Sequence, residues 1–203
     1  MIGWREFARR LPDLEPVRFY DLASSEPTKR NRDPDWTAGV TLAVDRRAAR
    51  WLICHASRIR ATPAKVVTFM RDRYDVDADL FGRPIPLRIE KEGGSGGAFA
   101  EEFFFREFVG ADIALRRPRG SKAERFKPFS IAAQNGRVDI LTGWDTDEYF
   151  DELELFPDGE HDDYADATSG AYRELTMSAA NVAPDEVQPD DDVGEAIDLD
   201  LDV

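Results

Sequence analysis

The sequence predicts an α/β domain on a mixed sheet, in which an antiparallel meander is joined by parallel strands and flanked by helices. Three features support this. Between residues 17 and 56, three runs of strand-forming residues follow one another through short connections, as in a meander. Beyond them, helical and strand patterns alternate to about residue 141, and helices follow. The chain has 203 residues, of which 42% are apolar, so its length suits one domain with a real core.

Taken in order, residues 1–16 place Trp4, Phe7, Leu11 and Leu14 at roughly helical spacing, closed by Pro12 and Pro16. They read as a helical remnant or linker ahead of the domain. Residues 17–22 alternate and form a first strand ending near Asp21. A polar loop with Lys29, Arg30 and Arg32 leads through Asp35-Trp36-Thr37 to a second strand at 38–44. Residues 51–56 give a third strand. Thr62-Pro63 opens a helix, with Thr suited to the cap and Pro to the first position, running through Val66, Val67, Phe69, Met70 and Tyr74. Residues 85–90 form a short strand with a carboxylate at its end, and Gly93 to Gly97 follow as a turn. A phenylalanine-rich helix spans about 98–109, and 112–115 suits a fifth strand. Residues 130–135 read as a short helix stopped by Gly136, and 138–141 as a small strand. An amphipathic run at 147–156 ends at Pro157, and a last helix opens at His161-Asp162-Asp163. There are no repeats and no boundary before about Ser178, so the domain is placed at 17–178 and a tail at 179–203.

The composition narrows the function. The single Cys54 excludes a disulfide framework within the chain and fits a reducing compartment. No apolar run approaches the roughly 20 residues of a membrane span, and the N-terminus lacks a signal-peptide core, so a soluble cytoplasmic protein is expected. The net charge of −14 argues against a generally basic nucleic-acid binder. Nine of the acids lie after residue 183 with no base among them; without them 32 acids face 27 bases. The tail composition predicts disorder, and its default role is solubilising. The densest basic run is Arg116-Arg117-Pro118-Arg119-Gly120-Ser121-Lys122, continued by Arg125 and Lys127.

Chemistry concentrates in carboxylates at element ends. Asp21 and Glu90 close two strands, and Asp162 and Asp163 open a helix on which Asp163 and Asp166 share a face. One such Asp would read as a helix cap. Several acids together repel unless a cation sits among them, and a hard divalent ion is the usual remedy. In open α/β sheets ligands gather at the carboxyl ends of strands. Asp21, Glu90 and Asp163 brought to one point would suit one or two Mg²⁺ or Mn²⁺ ions, and two ions about 4 Å apart can drive phosphodiester cleavage. His161 reads equally as a ligand, a water-holding group or a turn residue. His55 and Cys54 read as strand residues, Cys54 as core. No GxxxxGK[ST] motif occurs, and no Ser/His/Asp or Cys/His arrangement is found.

With these residues in view, the chain resembles the C-terminal nuclease domain of large terminase subunits of tailed phages, from about residue 18 to 175. The first motif reads RFYDLASSEPT…DWTAG, which carries Asp21 over as a metal ligand and Asp35 as a supporting residue. Arg58-Ile59-Arg60…Pro63 follows. The second motif is LRIEKEGGSGG, which carries over Glu90, with Glu92 as second choice. Lys122 and Arg125 precede the strand Gly136-Arg137-Val138. The final motif is met by Trp144, Glu152-Leu153, Phe156-Pro157 and His161 to Ala167. The resemblance implies an RNase H-like fold of the RuvC type and two-metal endonucleolytic cleavage of double-stranded DNA during viral genome packaging. Asp21, Glu90 and Asp163 would bind metal, with Asp162 in the same cluster and Asp166 supporting. Arg116, Arg117, Arg119, Lys122 and Arg125 would contact DNA phosphates. Implied partners are a packaging ATPase domain, the portal and the small terminase subunit, in the host cytoplasm at the procapsid. The family's N-terminal ATPase has no counterpart in this sequence, which suggests an excised domain, a split gene or a relic. Two other readings share the acids: a resolvase- or transposase-type nuclease, against which the 144–167 pattern argues, and a non-catalytic assembly module.

Overall fold

The structure is a computed structural model that describes residues 1–23, 32–90 and 96–180, with the side chains of 96–101 and 178–180 outside that set. Lys29, Arg30, Glu92, Gly93, Gly94, Ser95 and the acidic tail lie outside the described residues.

A six-stranded mixed sheet has the order β5-β4-β1-β2-β3-β6. The meander is β1 (Leu14–Asp21), β2 (Thr37–Asp45) and β3 (Arg50–Ile59), paired antiparallel. Strand β4 (Leu87–Glu90) lies parallel to β1, β5 (Ile113–Arg116) parallel to β4, and β6 (Val138–Ile140) parallel to β3. This is the mixed sheet expected from the sequence.

Side chains alternate across the sheet, and each face is covered by its own helices. Val17, Phe19, Val40, Leu42 and Ile53 pack with α5 (Asp147–Leu155) and α6 (Asp163–Ala180), beside α4 (Lys122–Gln134). Tyr20, Leu87 and Ile89 face α2 (Pro63–Phe81) and α3 (Gly96–Glu107). Helix α2 stops where Gly82 turns left-handed (φ 64°), donating its N–H to Asp79.

Two boundaries differ from expectation. Strand β1 begins at Leu14 and runs through Pro16, because β4 pairs only with Arg18–Tyr20 and leaves that end of β1 an edge on one side. Helix α1 (Trp4–Arg10) leads into it through a short 3₁₀ turn, and Phe7 and Leu14 are buried with Leu52, Cys54, Phe81 and Leu141. Residues 1–16 thus pack into the domain. Helix α4 starts at Lys122 instead of about 130 and contains Pro128, so Lys122, Arg125 and Lys127 of the basic stretch lie on it. Among the described residues, no helix is long and apolar enough to cross a membrane.

Candidate functional site

Asp21 and Glu90 end two strands that run parallel side by side, since Tyr20 pairs with Ile89. Both face α6, because they lie an odd number of residues from Tyr20 and Ile89, which face α2. Helix α6 crosses this face on small residues. Ala167 and Ala171 are fully buried, and a Cβ on Gly170 would lie 2.3 Å from the Phe19 ring. That close approach brings Asp163 and Asp166, both buried, to the strand ends.

The acids feel one another. Burial pushes the Asp21 carboxyl well above its ordinary range, and Glu90, Asp166 and Asp163 push it further, with Lys122 opposing. Glu90 is also raised by burial, although Arg125 pulls it down. Asp163 rises to about 6, from burial and from repulsion by the exposed Asp35, against the Trp36 N–H.

Cations compensate only part of this cluster. Arg125 donates to both Glu90 oxygens at 3.1 and 3.2 Å and to Asp166 at 2.6 Å. Lys122 holds Asp162 at 2.7 and 2.8 Å and Asp166 at 2.9 Å. Among the described residues nothing donates to Asp21. Asp163 Oδ1 accepts the Trp36 N–H at 3.1 Å, while its buried Oδ2 has no hydrogen-bond partner. His161 Nδ1 is 3.9 Å from that oxygen, and its Nε2 faces Asp33 at 3.0 Å and Arg60 at 3.1 Å. As the side chains stand, no three His, Cys, Asp or Glu residues among those described form a closed ligand set. The cations of α4 pair with Glu90 and Asp166, while Asp21 has no donor among the described residues and Asp163 has only the Trp36 N–H.

The remaining expected residues lie beside the cluster. Arg116 is held by Glu174 at 2.7 and 2.6 Å, and Glu174 also receives Arg88 at 2.7 Å. Arg117 and Arg119 are exposed and, with Arg116, Arg125, Arg173 and Glu90, line a groove of about 420 Å³. Thus Lys122 and Arg125, expected to contact DNA phosphates, bind carboxylates in the structure.

Three residues quoted within motifs, Glu152, Arg58 and Trp36, were given no role by the sequence reading. Glu152 on α5, only 7% exposed, accepts the N–H groups of Tyr164 and Ala165 at 2.5 and 3.2 Å. It therefore caps α6, the role first considered for Asp162 or Asp163. Its carboxyl rises to about 7, through burial and in spite of those two N–H groups. Arg58 binds Glu152 at 2.9 Å, with its guanidinium carbon 4.5 Å from the centre of the Trp36 ring and 5.0 Å from that of Tyr164. Trp36 supplies the N–H to Asp163. The capping box of Ser121 and Glu124, present in the sequence as Ser-x-x-Glu, was the signal for the start of α4.

Comparison with solved structures finds the same fold. The nuclease domain of the phage P22 large terminase aligns with a TM-score of 0.56 and 13% identity, over 83% of this chain and 82% of that one. The human cytomegalovirus terminase nuclease domain, soaked with manganese, gives 0.60 and 12% identity over 80% and 84%. The large terminase nuclease of thermophilic phage G20c, with bound magnesium, gives 0.53 and 17% over 80% and 82%. At these identities the likeness establishes the RNase H-like fold alone. A comparison with curated protein sequences found no match. The family described as the terminase RNaseH-like domain matches residues 18–175, most of the chain, and to that family the protein belongs.

Proposed function

We propose that the chain is a metal-dependent endonuclease that cleaves double-stranded DNA during viral genome packaging. The observation that carries this is the incomplete compensation of the acids. Asp21 and Asp163 converge with Glu90 and Asp166, yet Asp21 has no donor among the described residues and Asp163 Oδ2 is buried without a partner. Carboxylate oxygens in that condition are the ligands Mg²⁺ and Mn²⁺ take. The magnesium of the G20c nuclease and the manganese soak of the cytomegalovirus domain support the same assignment.

Asp21, Glu90 and Asp163 would hold the metal, two ions in all, with Asp162 in the cluster and Asp35, His161 and Asp166 supporting. Divalent ions held by these carboxylates would supply the Lewis acidity that phosphodiester hydrolysis needs at the attacking water and the leaving oxygen. The chain's own residues do the rest. Asp163 is held through Oδ1 by the Trp36 N–H, and its Oδ2 has no protein partner among the described residues. Arg116, Arg117 and Arg119 line the groove beside Glu90 and would receive DNA phosphates, positioning the duplex without reading its bases. Lys122 and Arg125 keep the excess negative charge of Asp162, Asp166 and Glu90 in check, and once metal neutralises those acids they would be free to meet phosphate. A packaging ATPase domain, the portal and the small terminase subunit are the partners such a nuclease would serve, in the host cytoplasm.

Plasmid cleavage by the purified chain with Mn²⁺, Mg²⁺ or EDTA, alongside Asp21→Ala, tests this. Metal-dependent nicking that disappears in Asp21→Ala is expected. Cutting that survives in the variant would move the site elsewhere, and no cutting under any condition would favour an assembly module.

A further inference from the structure

Asp163 is held from two directions, and both lead to one carboxylate on a different helix, that of Glu152. At the backbone, Glu152 Oε1 accepts the N–H groups of the two residues that follow Asp163. At the side chain, the Trp36 N–H meets Asp163 Oδ1, and Trp36 stacks on Arg58, which binds Glu152 Oε2. Tyr164 closes the block on the other side of Arg58. A helix start is ordinarily capped by a short polar side chain at the residue before it. Here that residue is Asp162, and its carboxylate is occupied by Lys122. The cap comes instead from α5, which leaves the carboxylates of Asp162 and Asp163 unspent on capping.

We propose that Glu152 is a positioning residue for the metal site. It fixes the first turn of α6 and, through Arg58 and Trp36, the rotamer in which Asp163 Oδ1 accepts the Trp36 N–H and Oδ2 is left without a partner. Glu152 would touch neither metal nor DNA; it acts through Asp163. The inference rests on the metal-site reading above. Partners that orient a ligand typically change metal affinity about 10- to 100-fold when removed.

The test is calorimetric titration of Mn²⁺ into the full chain, comparing parent, Glu152→Ala, Glu152→Gln and Asp163→Asn, with circular dichroism melts of each. Glu152→Ala is expected to weaken Mn²⁺ binding by about tenfold or more at unchanged helical content. Glu152→Gln keeps an oxygen for the two N–H groups and is expected to recover most of the affinity, which a merely stabilising residue would not show. Should Glu152→Ala fail to fold, Glu152→Asp carries the same comparison, since its shorter arm cannot serve both the amides and Arg58. Parent-like affinity in Glu152→Ala or Glu152→Asp, while Asp163→Asn loses binding, overturns the positioning role and leaves the metal site standing. A parent that takes up no Mn²⁺ overturns both.

Discussion

Arg18 and Asp21 lie three residues apart on β1 and show two opposite ways of burying charge. Arg18 points to the α2 face and is 1% exposed. Asp77 of α2 meets it with two bonds at 2.7 and 2.9 Å, and Thr41 donates to both oxygens of the same carboxylate. One acid faces one base, and each oxygen has a donor. Asp21 points to the α6 face, where Glu90, Asp163 and Asp166 outnumber Lys122 and Arg125 at the same strand ends. The first arrangement matches charge with charge and serves the fold, although Arg18 Nη1 has no hydrogen-bond partner among the described residues. The second is held together against its own repulsion by the packing of α6, so it is the one open to a cation from outside.

Removing an acid from each side separates the two most sharply. Asp77→Ala leaves Arg18 buried without its partner and is expected to cost about 3–5 kcal/mol, read from urea unfolding. Asp163→Asn removes a repelling charge, so unfolding free energy in EDTA should hold or rise, while metal-dependent cleavage is lost. Equal destabilisation by both substitutions would mean that Asp163 also belongs to a closed pair.

Packing is the next lever. Gly170→Ala sets a methyl against Phe19 where no room exists, and overpacking of this kind costs about 1–3 kcal/mol. Because α6 must lift from β1 to admit it, cleavage should fall more than stability implies. Full activity with normal stability would show that the helix can shift without moving Asp163.

The meander was legible because its strands alternate cleanly and connect briefly, and the places of Asp21 and Glu90 at strand ends and of Asp163 at a helix start were legible because local motifs surround each. Other parts of the site were hidden for physical reasons. Pro16 reads as a breaker, and only the short reach of β4 makes it tolerable in β1. Pro128 and the run of bases obscured α4, although Ser121 and Glu124 announced its start. Glu152 is one of 41 acids, and its partners are backbone amides 12 and 13 residues on, which no side-chain pattern records. Likewise, the pairing of Lys122 with Asp162 and Asp166 depends on where α4 lies across α6.

Titration distinguishes the two faces as well. Asp163, with its carboxyl raised to about 6, contributes stability that is full below the ordinary carboxylate value and is lost as pH rises through 6. His55 works in the opposite sense: burial, with Arg18 and Arg73 nearby, lowers it to about 4, so protonation below its ordinary value destabilises the fold. The parent curve mixes both, and the difference between parent and Asp163→Asn isolates the acid. In EDTA, the variant's advantage in melting temperature should be largest near pH 7.5 and shrink towards pH 5, at roughly 2–4 °C per kcal/mol for a chain of this size. A constant difference across that range would place Asp163 at an ordinary carboxylate value.

The smallest expected effect concerns the cations on the α6 face. Lys122 is half-exposed, and its bonds to Asp162 are near the surface, whereas Arg18 is enclosed on every side. Exposed pairs contribute about 0–1 kcal/mol, since both groups recover water when separated. Lys122→Met should therefore change stability by no more than about that amount, with Arg125 still holding Asp166. Its effect belongs instead to charge balance: with one cation gone, the acids repel more strongly and should bind Mn²⁺ more tightly in titration. A loss of stability comparable to that of Asp77→Ala would make Lys122 a structural counter-ion like Arg18, and the contrast between the two faces of β1 would fail.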